Sequence, residues 1–221
     1  NALDANITGS QSTAIGANAL TSSTAENNTA VGKSAMQSTT TGTRNAAVGT
    51  NVMAENTSGT DNTALGAFSL DANTTASNNT AVGALALELN TTGANNTAVG
   101  AYALDANTTT GNNTAVGYLA LSANTTGRNT AFGSQALANV QTTDNNTAIG
   151  DHCFRANTTA SNNTGLGFQA GVFTTTGSNN VAVGKDALLS NTTGGSNVAV
   201  GANALDANTT ANNNTAIGHV A

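Results

Sequence analysis

Proline and tryptophan are absent from this sequence, and a single cysteine, Cys153, occurs in 221 residues. One thiol excludes an internal disulfide, and with it the disulfide-stapled class of small secreted domains, though not secretion itself. Charge and aromaticity are also scarce, at 7% and 3% of residues. So few large apolar side chains cannot build a broad globular core. The five basic residues (Lys33, Arg44, Arg128, Arg155 and Lys185) stand far apart. No basic stripe exists to displace counterions from nucleic acid, which excludes that class of partner. No apolar run approaches the roughly 20 residues that span a bilayer; the stretch around Ala84–Ala86 is broken by Glu88. Membrane insertion is therefore not expected. No leader segment is legible and the chain opens partway through a repeat, so we expect an excerpt of a longer fibrous protein.

Glycine, asparagine, threonine and alanine dominate instead, and they recur in register. Glycine occurs at 16, 32, 49, 66, 83, 100, 117, 133, 150, 167, 184, 201 and 218, with ten steps of 17 residues and two of 16. Such a period argues against disorder, since a disordered chain has no register to keep. The unit is seen at Asn96-Thr97-Ala98-Val99-Gly100-Ala101-Tyr102-Ala103-Leu104-Asp105-Ala106-Asn107-Thr108-Thr109. Counting from the marker glycine, −1 is Val, Ile, Leu or Phe, −2 is Ala in every coil but one (Gly165), and −4 is Asn in every coil but one (Ser12). Position −3 is nearly always Thr, replaced by Ala46, Val181 and Val198; +3 is usually Ala, and +4 is mostly Leu, with Met36, Met53 and Phe154 as conservative exceptions.

Period-two alternation over a short β-branched run predicts a strand at −3 to −1. Threonine and valine have similar shapes, so −3 and −1 are read as one inward face, leaving the −2 alanines as an outward apolar strip. A second short strand is expected after the glycine, with Leu at +4 and often Ala at +6 facing inward. The marker glycine supplies one turn, where φ > 0 costs it little, and Asn-Thr-Thr-Gly, as at Asn124–Gly127, supplies the other. Helical repeats are disfavoured by the recurrent glycine and β-branched residues. The fold class predicted is all-β: a parallel β-solenoid of about 13 coils across residues 1–221, a rod roughly 60 Å long at about 4.8 Å per coil. No coil can stand alone, and an apolar strip marks a buried contact. A homo-oligomer is expected, a trimer packed along the −2 alanines.

The unit Asn-Asn-Thr-Ala-Val-Gly-x-x-Ala-Leu-x-x-Asn-Thr-Thr-Gly, at Asn78–Gly93, Asn95–Gly111 and Asn112–Gly127, resembles the repeat arrays of phage tail-fibre-domain proteins. The Asn179–Gly184 and Ser196–Gly201 forms are similar to the heads of trimeric autotransporter adhesins. The resemblance covers essentially the whole chain. It implies a fibre shaft or attachment module, extracellular, on a virion tail fibre or a cell surface. No chaperone domain, coiled-coil stalk or membrane anchor of those families is present in the sequence. An extracellular structural filament, sugar-coated and stacking end to end through its coil edges, is the alternative.

Candidate chemistry is thin, and no enzyme, cofactor or metal is expected. Asp151-His152-Cys153 gathers an acid, an imidazole and a thiol, but adjacent strand residues face alternately; Cys153 and Phe154 read as variants of the +3 and +4 slots. His152 and His219 are four coils apart. Gly165-Leu166-Gly167 is a lone G-x-G without a following helix. Calcium-binding rolls need an aspartate in every turn, whereas +5 holds Asp4, Asp71, Glu88, Asp105 and Asp206 but also Thr21, Arg155 and Leu189. The −4 asparagines are expected to stack as an amide ladder. N-x-T acceptors recur at Asn27, Asn78, Asn95, Asn112, Asn145, Asn162 and Asn213 and, in the turns, at Asn73, Asn90, Asn107, Asn124, Asn157, Asn191 and Asn208. The turn set is the better-placed candidate for glycans. Threonine rows on a flat β-face can order water, as in ice-binding solenoids; the inward reading of −3 counts against that function. For a cell-surface glycan or receptor, the candidate contacts are the variable +1 and +2 aromatics Phe68, Tyr102, Tyr118 and Phe168.

Overall fold

The structure, a computed structural model, describes residues 2–3 and 10–221. Asp4 and most of the partial unit that opens the sequence lie outside the described residues. Every strand is three residues long and ends one residue before a marker glycine. In a first compact unit, Asn1–Asn112, these are β1 (Thr13–Ile15), β2 (Thr29–Val31), β3 (Ala46–Val48), β4 (Thr63–Leu65), β5 (Thr80–Val82) and β6 (Thr97–Val99). The second unit, Asn113–Ala221, holds β7 (Thr114–Val116), β8 (Thr130–Phe132), β9 (Thr147–Ile149), β10 (Thr164–Leu166), β11 (Val181–Val183), β12 (Val198–Val200) and β13 (Thr215–Ile217). Within each unit every strand pairs parallel with the next, like position on like position, as Thr80, Ala81 and Val82 do on Thr97, Ala98 and Val99. The fold is the all-β parallel solenoid with a repeat of about 17 residues.

The inward and outward faces are reversed from the expectation. The −2 alanines are inside: Ala30, Ala47, Ala81, Ala98, Ala115, Ala131, Ala148, Ala182 and Ala199 are fully buried. The −3 and −1 side chains point outward, and Leu65 and Phe132 keep 48% and 56% of their surface exposed. The outward alanine strip does not exist. Alternation reads the same in either phase, and a one-residue slip exchanges the faces. The phase is set by −4, which shares the face of −2. Asn28 Oδ1 accepts the backbone N–H of Asn45 at 2.9 Å, and Asn28 Nδ2 donates to the Gly42 carbonyl at 2.8 Å. Asn45, Asn62 and Asn79 repeat the pattern one coil further on each time. Each amide thus satisfies one donor and one acceptor that burial would otherwise leave unpaired. Ser12 does the same with a shorter reach, accepting from the Asn28 N–H and donating to Ala25 O.

The second strand expected after the glycine is a run of turns. Positions +2 and +4 adopt left-handed φ, 59° at Phe68 and 50° at Leu70, 61° at Leu85 and 53° at Leu87. Their N–H groups consequently point in opposite directions along the stack: Leu85 donates back to Ala67 O and Leu87 forward to Ala103 O, each at 3.0 Å. β-Branched residues are unfavourable at φ > 0, which accounts for Leu, Met and Phe at +4. These +4 side chains and the +3 alanines fill the interior opposite the −2 alanines. The expected inward role of +6 is not met, since Leu89 is half exposed. The marker glycine turns as expected, with φ 132° at Gly83; a Cβ there would lie 2.6 Å from the carbonyl carbon and oxygen of Gly100. Where a 16-residue coil shortens the other turn, Gly127 carries φ 98°.

One coil departs from the pattern, and its neighbour compensates. Phe154 stands in a leucine slot, fully buried, while the next coil has glycine at −2 (Gly165) and at +4 (Gly171). A Cβ on Gly165 would meet Phe154 Cε2 at 2.7 Å as well as the Cys153 sulfur, and one on Gly171 would run into the same ring. The large ring occupies the volume that its neighbour's missing side chains vacate. We predict that Phe154→Leu and Gly171→Leu each destabilise the chain, by about 1–3 kcal/mol as a cavity and as overpacking. The double variant, which restores leucine in both +4 slots and leaves Gly165 in place, should be more stable than either single one in denaturant titrations.

Candidate functional site

The interior is small and filled, and no pocket is found among the described residues. Function therefore has to be sought on the outward faces of the coil. The most regular is the sheet face, whose strands pair in register. There the −1 apolar side chains, aliphatic except for Phe132, form a continuous row within each unit, in register because the strands are, beside the row of −3 residues, mostly threonine. Neither row contains a charged residue. The aromatics singled out in the sequence are exposed: Phe68, Tyr102, Tyr118 and Phe168 each keep between 38% and 51% of their surface. Phe68 and Tyr102 sit at the left-handed +2 position and Tyr118 and Phe168 at +1, so they do not form one column.

The turn asparagines behave differently from the solvent-facing acceptors the sequence suggested. Asn73, Asn90, Asn107, Asn124, Asn157 and Asn191 are fully buried, and Asn208 is half-buried. Except at Asn124, whose Oδ1 accepts from Asn129 Nδ2 while its own Nδ2 is unpaired, their amides close the turn or link coils. Asn73 Nδ2 donates to Asn56 Oδ1 at 2.8 Å and to Ala76 O at 3.1 Å, and Asn107 Nδ2 to Asn90 Oδ1 at 2.9 Å. Asn157 and Asn191 donate to the carbonyls of Ala160 and Gly194, and Asn208 to Asn191 and Ala211. A sugar on any of the buried six requires the coil to open. Ser23, Thr39, Val140 and Thr174 take this slot in other coils, so it tolerates loss of the amide more often than the −4 slot, where Ser12 alone replaces asparagine.

The acid, imidazole and thiol at 151–153 do not converge. His152 Nδ1 lies 3.0 Å from Asp151 Oδ2 at the surface, whereas Cys153 is fully buried against Gly165. Burial pushes its thiol up to about 12, outweighing a backbone hydrogen bond from Ile149, so it stays protonated and unreactive. No group of three or more His, Cys, Asp or Glu among the described residues is close enough to hold a metal ion. No helix among them is long and apolar enough to cross a membrane. Arg44 and Asp61 pair between coils through two short contacts, 2.6 and 2.7 Å. The Arg44 hydrogen bond holds the Asp61 carboxyl below its ordinary range.

Glu55, Asp71, Glu88 and Asp105 stand on four successive coils on the turn side. Burial, then Glu55 and Glu88, raise the Asp71 carboxyl; burial raises Asp105, with Glu88 adding to it. Comparison with protein families, with curated proteins and with solved structures finds no match to this chain.

The acidic column makes a pH prediction. A carboxyl raised on folding binds its proton more readily in the folded than in the unfolded chain. Stability therefore falls as pH rises through that window and is regained on acidification. Asp71→Asn should raise Tm at neutral pH by about 1–3 °C, a small effect because the group is only half buried. The same variant should flatten the rise in Tm between neutral and mildly acidic pH.

Proposed function

We propose that this chain is a shaft or attachment segment of an extracellular fibre, of the kind its tail-fibre and adhesin-head resemblances imply, and that it assembles with copies of itself as a trimer. The observation that carries the reading is the outward row of −1 aliphatics. An uncharged apolar ridge repeated at every coil is a surface that water does not favour, and continuous ridges of this kind are covered in assemblies. The expected contact strip thus moves from −2 to −1, and the argument for association is stronger there because the side chains are larger. Length and stiffness come from stacking, since every coil needs its neighbours for hydrogen bonds and packing. The exposed +1 and +2 aromatics are the contacts we assign to a surface glycan or receptor.

Light scattering with negative-stain imaging tests this. Discrete three-chain particles are expected. Val82→Lys combined with Val99→Lys should release monomers while leaving the far-UV circular dichroism unchanged. A wild-type chain that is monomeric at micromolar concentration overturns the reading, and long filaments of single chains would favour the end-to-end alternative.

A second reading is favoured by one observation, the outward −3 threonines. The objection that they point inward no longer holds, and a threonine row beside a methyl-rich row is a surface able to order water. Under the fibre reading no thermal hysteresis is expected. Hysteresis that Thr80→Lys with Thr97→Lys abolishes would establish ice binding in its place.

A further inference from the structure

The chain carries two classes of Asn-x-Thr, and the fold separates them. The buried turn class has been described. The other class is Asn-Asn-Thr at Asn27, Asn78, Asn95, Asn112, Asn145, Asn162 and Asn213, one residue before the internal ladder. All seven asparagines are exposed, and all adopt left-handed φ between 60° and 63°. The residue that follows turns inward to form the ladder, while the threonine two residues on lies on the outward face, exposed or half-buried. Each of these sequons therefore presents its acceptor amide and its hydroxyl outside the coil. The side-chain contact within this column, Asn145 Nδ2 to Asn162 Oδ1 at 3.3 Å, is long and exposed and is readily given up.

From this we infer that the −5 asparagines are the N-glycosylation sites of this chain, and that the turn asparagines are structural. The donor is a glycosyl diphosphate, either a nucleotide sugar or a lipid-linked one. The asparagine Nδ2 forms a bond to the anomeric carbon as the bond from that carbon to the diphosphate oxygen breaks. The diphosphate leaves with the electron pair, and the amide gives up one proton. Adjacent coils are about 4.8 Å apart, too close for bulky glycans on successive coils. Asn95, flanked by Asn78 and Asn112, is accordingly the least occupied of the three, and Asn145 competes with Asn162.

The test is site-resolved peptide mass spectrometry on the full chain in two arms. In the first, folded chain is treated with a soluble N-glycosyltransferase and UDP-glucose. Occupancy of the −5 column should exceed that of Asn73, Asn90, Asn107, Asn157 and Asn191 by at least about tenfold, since those need local opening of the coil. Urea-unfolded chain should accept glucose at both classes. In the second arm the chain is secreted through a pathway that uses lipid-linked oligosaccharide, and the folded product should carry glycan in the column alone. Asn145→Gln should raise occupancy at Asn162 in both. Glycan at the turn asparagines of folded chain overturns the assignment. So does an unmodified column in both arms while a flexible Asn-Asn-Thr peptide is modified. Transfer in one arm only identifies the donor. Because the readout is chemical occupancy, its outcome is independent of whether the chain forms trimers.

Discussion

The structure depends on one buried hydrogen-bonding arrangement, the side-chain amide at −4. The interior is filled by side chains, so each backbone group that faces inward needs a partner within the protein. The −4 asparagine pairs two of them at once, the N–H of the next coil's asparagine and the carbonyl of the facing turn. Its position then fixes everything nearby. If −4 is inside, the alternation of a strand places −2 inside and −3 and −1 outside. With an amide at one end and leucine at +4 opposite, alanine is what fits at −2. The single glycine at −2, Gly165, occurs where the Phe154 ring fills the space instead.

The solenoid itself was legible because its period is written in glycine. Position 0 demands φ near 130° and a close approach to the next coil's backbone, which no other residue meets without strain. The phase of the strand was not legible from residue size. Large apolar residues are expected on the inward face of a strand, as in a globular core, but on this strand the inward position takes the smallest. A signal was nevertheless present in the repeat. Positions −4 and −2 each vary in a single coil, whereas −1 ranges over Val, Ile, Leu and Phe. Tight packing tolerates little change in volume, so the invariant positions were the inside ones. The turn that replaced the expected second strand had its signal too, in the absence of β-branched residues at +4.

The two sequon classes show the same limit. Asn-Thr-Thr at Asn90 and Asn-Asn-Thr at Asn95 are equally good acceptors as strings, and turn residues are ordinarily surface residues. In this coil the turn asparagine is turned inward because its amide closes the turn onto the carbonyl three residues later, as Asn90 does on Gly93 at 3.0 Å. Its neighbour at −5 faces out because the backbone there is left-handed, a conformation asparagine tolerates better than most residues. Accessibility followed from φ and from the hydrogen-bond partner, neither of which the acceptor motif encodes.

Interior and exterior of this coil therefore answer to different constraints. The interior repeats closely, because buried amides and close packing leave little freedom, and its largest departure, Phe154, comes with Gly165 and Gly171 in the next coil. The exterior keeps chemical class but not identity, aliphatic or aromatic at −1, mostly hydroxyl at −3, asparagine or another polar residue at −5. A surface that served only to face water would have no reason to keep a branched apolar residue in every coil, at a position where a charge would aid solubility and separate chains. Under the assembly we propose, the Ile, Val, Leu or Phe at this outward, in-register position is the face that copies would cover, and the polar −5 column is where bulk would be carried on the solvent side.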